Sequence, residues 1–246
     1  MFDSKVAIVT GGGSGIGRGV CLRLAHDGAS VAIADVSAAA AHQVAGEIGP
    51  NALALPTDVA SEEQVSRMVE QTVGRFGRLD FLVNCAGKAA FVPVVELSLD
   101  DWQSTLDVHL TGTFLSCRAA LDHLVAAKGR IVNTSSTYAY KGRPGGSIYS
   151  AVKAGIVGLT KVLAHELAPD VNVNAIAPGP TETPGWRRSL EGPDFEAKRS
   201  RRIKDVPLGR LGQPEDIAAA VAFLLGPDSK WITGSVLQIT GGEFML

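Results

Sequence analysis

Short apolar runs alternate with longer segments of helical period along the whole chain. "KVAIVT" (5–10), "SVAIAD" (30–35), "ALALPTD" (52–58), "LDFLVNCAG" (79–87), "GRIVNTSS" (129–136), "VNVNAIAPG" (171–179) and "SVLQITGG" (235–242) read as strands. Between them lie "IGRGVCLRLAHDG" (16–28), the Ala-rich 37–48, "SEEQVSRMVEQTVGRFG" (61–77) and stretches near 99–127, 148–168 and 214–226, all of helical pattern. Ser61 stands where a helix cap belongs, with Glu63 and Gln64 in the first turn. Strands apolar on both faces that alternate with helices describe a parallel sheet covered on two sides. No linker, repeat or low-complexity tract interrupts the alternation, so residues 1–246 are expected to form one doubly wound α/β domain.

Composition narrows the setting. Hydrophobic residues make up 46% and charged residues 20% of the 246, as in a soluble globular protein with a large core. No apolar run approaches the ~20 residues of a membrane helix, and "MFDSKVAIVTGG" carries an acid too early for a signal peptide. Cys21, Cys85 and Cys117 are odd in number and lack metal-ligand spacing, which predicts reduced thiols, a cytoplasmic location and no metal site. A net charge of −2 excludes a nucleic-acid binder of the usual basic kind.

"TGGGSGIG" (Thr10–Gly17) falls between the first strand and the first helix. Glycines there allow a tight turn and close approach to a pyrophosphate, which the helix N-terminus then meets with oriented N–H groups. Gly11, Ser14, Gly15, Ile16 and Gly17 are the candidate contacts. The second strand ends in Asp35, where a carboxylate binds the adenosine ribose and repels a 2′-phosphate. Ser14, Val36 and Ser37 offer no cation to offset that repulsion, so NAD is the expected cofactor. Asp58 and Val59 end the third strand and Asn84, Ala86 and Gly87 the fourth, at the carboxyl edge where such sheets bind ligands. Asp58 is either an acceptor for the adenine amino group or a turn residue.

"YSAVK" sets Tyr149 and Lys153 on one helix face. An ammonium beside a phenol lowers its pKa from ~10 and makes proton transfer with an alcohol feasible. Ser136, at the end of a strand, offers a hydroxyl to hold a substrate oxygen. Together with Pro178–Gly179 and the following Thr181 and Thr183, these motifs resemble the short-chain dehydrogenase/reductase family over the whole chain. The resemblance implies a Rossmann-type fold with Tyr149 as general acid/base and Ser136 orienting the substrate oxygen. It gives Lys153 the nicotinamide ribose, and the main chain near Thr181 and the Thr183 hydroxyl the carboxamide. It also implies a homo-oligomer, tetramer or dimer, built on 99–127, 148–168 and the last strand.

Two places depart from the family. "DVHLTGTF" has His109 where an Asn commonly anchors a proton-relay water, and the imidazole is either a relay member or a packed helix residue. "TGG" (240–242) replaces the frequent "DGG". A third feature is "WRRSLEGPDFEAKRSRRIK" (186–204), with seven Lys/Arg against Glu191, Asp194 and Glu196. By resemblance, residues 184–206 are the substrate lid. Trp186 is then placed to shield a substrate, and Arg187 and Arg188 to clamp an anion, while 198–204 reads as a solvated helix face. By the same resemblance, the loop holding Tyr138 and Arg143 forms the other pocket wall, with Arg143 a second candidate anion contact. The expected activity is hydride exchange between NAD and a secondary alcohol or ketone with an anionic tail. The rivals are NAD-linked 3-hydroxyacyl-CoA oxidation or 3-oxoacyl reduction, and a non-catalytic NAD sensor on the same fold.

Overall fold

The computed structural model describes residues 1–88 and 91–245. Among these residues seven strands form: β1 (Val6–Thr10), β2 (Ser30–Asp35), β3 (Ala52–Pro56), β4 (Phe81–Asn84), β5 (Arg130–Thr134), β6 (Asn172–Pro178) and β7 (Val236–Ile239). They make one sheet in the order β3-β2-β1-β4-β5-β6-β7, every neighbouring pair parallel. The chain winds outward from β1 to β3, then crosses back to lay β4 on the other side of β1. That reversal opens a crevice at the carboxyl ends of β1 and β4.

Alternation along each strand feeds two separate core layers. Ala7 and Val9 of β1, Val31 and Ile33 of β2, and Phe81 and Val83 of β4 pack with Val20, Leu24, Val44, Ile217 and Val221. These last come from α1 (Gly15–His26), α2 (Ala38–Ile48) and α9 (Pro214–Leu225). Ile8, Ala32, Leu82, Ile131 and Val173 point the other way, onto Met68, Val69, Leu115, Leu124 and Ala164. That face is covered by α3 (Glu62–Phe76), α5 (Gly112–Ala127) and α6 (Ser147–Glu166). Each fully buried Leu, Ile or Val contributes about 1.5–3 kcal/mol, which explains why the central strands are mainly apolar, with buried Asn84, Asn133 and Asn174 as polar exceptions. Ser61 caps α3 as expected, its Oγ accepting from the Gln64 amide, and Gly77 ends the helix at φ 80°.

The 99–127 segment is not one regular helix. α4 (Leu99–Leu106) and α5 are joined by a π-type turn, Asp107–Thr111, in which the Gly112 amide reaches back to the Asp107 carbonyl. The Thr113 hydroxyl donates to the His109 carbonyl at 2.7 Å, satisfying an acceptor that the turn displaces. α6, at 20 residues and mean hydropathy 1.2, is long and apolar enough to cross a membrane by length and composition alone, while Lys153 and Lys161 interrupt it as an apolar run. Its apolar residues Ile148, Val152 and Ile156 are buried because the helix lies along β5 and β6.

At the amino ends of the strands, Asp80 is 1% exposed and accepts from the Val6 amide (3.0 Å), Lys5 Nζ (2.8 Å) and the Arg78 guanidinium (2.7 and 2.8 Å). This knot fastens β1 to the start of β4, below the crevice. The basic 186–204 stretch forms α7 (Pro184–Ser189) and α8 (Phe195–Lys204).

Candidate active site

A cavity of about 670 Å³ opens at the carboxyl edge, lined by segments that follow β1 through β6. Gly11 (φ 65°) and Gly15 (φ 53°) shape the first turn in a conformation that side chains rarely adopt. A Cβ at Gly17 would lie 2.1 Å from the Gly11 carbonyl oxygen, so α1 can tuck under the turn only because that position is glycine. Ser14 makes no side-chain cap, leaving the first N–H groups of α1 to meet an anion at the cavity. Asp35 holds the turn through Gly13 N (3.0 Å) and fixes its own loop through Ser37 N (2.9 Å), with Val36 beside it exposed. A glycine cradle, an uncapped helix start and a carboxylate at the end of β2 fit a nicotinamide adenine dinucleotide.

Every other residue expected at the cofactor also lines this cavity, with one exception. The Asn84 side chain is buried away from it and donates to Asn133 Oδ1 at 2.9 Å and to Cys117 Sγ at 3.4 Å, tying β4 to β5 and α5. Cys85 takes its place in the wall. Asp58 accepts from the Ala60 amide at 3.0 Å, a turn bond, while still facing the cavity.

Ser136, Tyr149 and Lys153 share one wall. Ser136 follows β5 and Tyr149 and Lys153 lie on α6, so the packing of α6 on β5 brings them together. Lys153 Nζ donates to the Thr134 carbonyl at 2.7 Å and lies 5.6 Å from the Tyr149 ring centre. Burial pushes the Tyr149 phenol up to about 12, against the opposing pull of the Ser136 hydroxyl. Burial also draws Lys153 down to about 8. Desolvation is the leading cause for both groups, and the Lys153 ammonium is turned to a carbonyl.

His109 sits in the π-type turn, 2% exposed and edge-on to the Tyr149 ring at 5.6 Å. Its Nε2 lies 2.8 Å from the Lys88 carbonyl and 3.0 Å from the Lys88 amide, donating to one or accepting from the other according to tautomer. A Cβ on Gly87 would come within 2.4 Å of the ring, so the glycine after β4 makes room for the imidazole. Burial, then the charge of Lys153, pulls its pKa down to about 3. The side chain is a neutral packed group, and a relay role is left with Nδ1, which has no partner among the described residues.

The basic stretch divides differently from expectation. Trp186 and Arg188 line the cavity, but Arg187 turns outward and pairs with Glu182 at 2.7 Å. Glu182 also accepts from Arg199 at 3.3 Å and from Gln213 at 3.3 Å, fastening α7 and α8 to the start of α9. Arg202, expected on a solvated face, reaches inward and donates to the Tyr138 hydroxyl at 2.6 Å. A signal for it was present in the helical spacing. Phe195, Arg199, Arg202 and Ile203 fall on one stripe, and these four are the partly buried positions of α8. Phe91 and Glu243 also line the cavity and carried no local motif.

A family model described as enoyl-(acyl carrier protein) reductase matches residues 11–243. The chain is 41% identical over 247 residues to the BbsD subunit of (2S)-((R)-hydroxy(phenyl)methyl)succinyl-CoA dehydrogenase from Thauera aromatica, covering 98% of this chain and 97% of that one. A 3-ketoacyl-(acyl-carrier-protein) reductase from Brucella melitensis, solved with NADH, matches at TM-score 0.91 and 35% identity over 99% of each chain. An NAD+-bound xylitol dehydrogenase matches at TM-score 0.92 and 37% identity, covering 98% of this chain and 99% of that one.

Proposed function

This chain belongs to the short-chain dehydrogenase/reductase family of NAD(P)-dependent oxidoreductases, and we propose that it interconverts a secondary alcohol and a ketone with NAD as cofactor. The observation that carries this reading is the joint presence of Ser136, Tyr149 and Lys153 in the wall of one cavity with the glycine cradle. When bound, the nicotinamide ring takes or supplies the hydride. Tyr149, protonated at neutral pH, donates to the ketone oxygen in reduction and recovers that proton in oxidation, while Ser136 orients the oxygen. Lys153 holds the nicotinamide ribose, and the segment 184–206 closes over the substrate. A non-catalytic sensor would have no use for this acid–base set. A panel of secondary alcohols assayed with NAD, following NADH absorbance, tests the reading, and absence of turnover across the panel would overturn it.

Asp35 supports the choice of NAD. Asp35→Ala removes a ribose acceptor and a charge that repels a 2′-phosphate, so NAD should bind roughly tenfold more weakly and NADP discrimination should relax. Cofactor titration by NADH and NADPH fluorescence checks both. A wild-type preference for NADPH would contradict the assignment.

The titrating groups set the pH dependence. His109, near 3, stays neutral and adds no limb, so kcat/KM for ketone reduction should be level between about pH 5 and 7. As pH rises through about 8 the Lys153 ammonium is lost and kcat/KM should fall, since Tyr149 does not titrate until about 12. A limb near the ordinary imidazole value would instead give His109 a titrating role.

Acyl thioesters form a second reading, favoured by the CoA and acyl-carrier-protein substrates in the names of relatives. Arg188, exposed at the cavity edge, is placed to meet a coenzyme phosphate. Comparing kcat/KM for 3-hydroxybutyryl-CoA and free 3-hydroxybutyrate separates the two. We also propose a homo-oligomer, because α4, α5 and α6 leave Trp102, Phe114, Val125 and Val162 at the surface.

A further inference from the structure

We propose that Arg143 and Arg202, brought together on the Tyr138 hydroxyl, form a two-guanidinium fork for a carboxylate close to the reacting carbon of the substrate. The proposal rests on the secondary-alcohol reading above and deepens it. Arg143, in the loop before α6, reaches Tyr138 Oη with Nη1 at 3.3 Å; Arg202, on α8, reaches the same oxygen with Nη2 at 2.6 Å. Two cations thus converge on one neutral acceptor, and both line the cavity. Each guanidinium carries five N–H donors, so a single shared phenol oxygen leaves most of that capacity unused.

Nothing among the described residues neutralises the pair. The carboxylates lining the cavity are Asp35 and Asp58, at the ends of β2 and β3, and Glu243, which is engaged by Lys141. Two like charges held this close repel, and an oxyanion seated between them removes the repulsion while taking charge-assisted bonds from both. Arg is suited to this because its planar fork meets a carboxylate with paired donors.

The fork is also near the chemistry. The Arg143 guanidinium lies 4.4 Å over the Phe91 ring, whose centre is 5.4 Å from that of Tyr149. The Tyr138 ring, which supplies the shared oxygen, is 6.1 Å from that of Tyr149. A carbon facing Tyr149 is therefore separated from the fork by a few bonds only. Coenzyme A phosphates, at the far end of a pantetheine arm, are too remote to be what this fork reads. The recognised group is a carboxylate of the reacting portion itself, as in a short 3-oxo or 3-hydroxy acid.

The test compares acetoacetate with its neutral methyl ester, in turnover with NADH and in calorimetric binding to the NAD+ complex, where no reaction can occur. Wild-type protein should prefer the acid in both. Arg143→Ala and Arg202→Ala should each lower the acid-to-ester ratio roughly ten- to a hundredfold. Arg201→Ala, an exposed cation on the same helix, should leave the ratio unchanged. Equal ratios in wild type and the Arg143 and Arg202 variants, or an equal fall in Arg201→Ala, would overturn the fork. If neither compound turns over yet acetoacetate still binds in a manner dependent on Arg143 and Arg202, the fork stands and the reaction assigned above fails.

Discussion

Tyr149→Phe is expected to lower kcat by roughly 10²–10⁴, the range a positioned proton-transfer group supplies, while NADH affinity stays within a few-fold of wild type. The substitution deletes one oxygen and keeps the ring. That ring is held by Phe91 at 5.4 Å, His109 at 5.6 Å and Tyr138 at 6.1 Å, so the wall of the cavity should persist without the hydroxyl. Single-turnover rates give the chemical step, and fluorescence titration gives cofactor binding. A variant with near-normal kcat would remove Tyr149 from the chemistry and with it the proposed acid–base mechanism.

The second large effect is expected at the opposite end of the sheet and in a different observable. Asp80→Ala deletes the acceptor for the Val6 amide, Lys5 and Arg78 at once. Lys5 and Arg78 keep 38% and 45% of their side-chain surface in water and can be solvated, so the main losses are the charge-assisted bonds and the orphaned buried amide. That amounts to about 2–4 kcal/mol, below what a fully enclosed charge pair would cost. For a chain of this size the melting temperature should fall by roughly 4–16 °C, with kcat/KM at low temperature little changed. Burial opposes ionisation of Asp80, but Arg78, Lys5 and the Val6 amide outweigh it and hold its pKa below the usual carboxylate range. Its stabilisation is thus complete above the unfolded value of ~3.9 and lost as pH falls through the lower folded value, so the difference between wild type and variant should narrow in acid. Equal melting temperatures at neutral pH would show that the knot does not stabilise the fold.

All seven strands were legible because a parallel sheet buried on both faces demands mainly apolar runs, interrupted here by a few polar residues such as Asn133 and Asn174. The runs overshoot the strands because they continue into the cavity-lining loops; "LDFLVNCAG" contains β4 but ends in Cys85–Gly87, at the site. Short-range motifs located Asp35, Ser136, Tyr149 and Lys153. What depended on distant packing was harder to read. The outward turn of Arg187 is decided by Glu182, and the inward reach of Arg202 by Tyr138, 64 residues away. The burial that raises the Tyr149 pKa and lowers that of Lys153 was out of reach for a similar reason, since spacing reports which groups are neighbours and not how much water they lose.

The π-type turn at Asp107–Thr111 has a consequence for how the following helix can vary. It accommodates one residue beyond a regular α-helical ladder, so α5 is turned by about 100° about its own axis from where an unbroken continuation of α4 would put it. The turn thus absorbs the extra residue and holds α5 in the phase that its packing needs. Leu115, Ala120 and Leu124 face the sheet only in that phase. A single-residue deletion here would leave an unbroken helix whose sixteen-residue second half still presents the same face to the sheet, and the side chains displaced would be those of the turn itself, His109 among them.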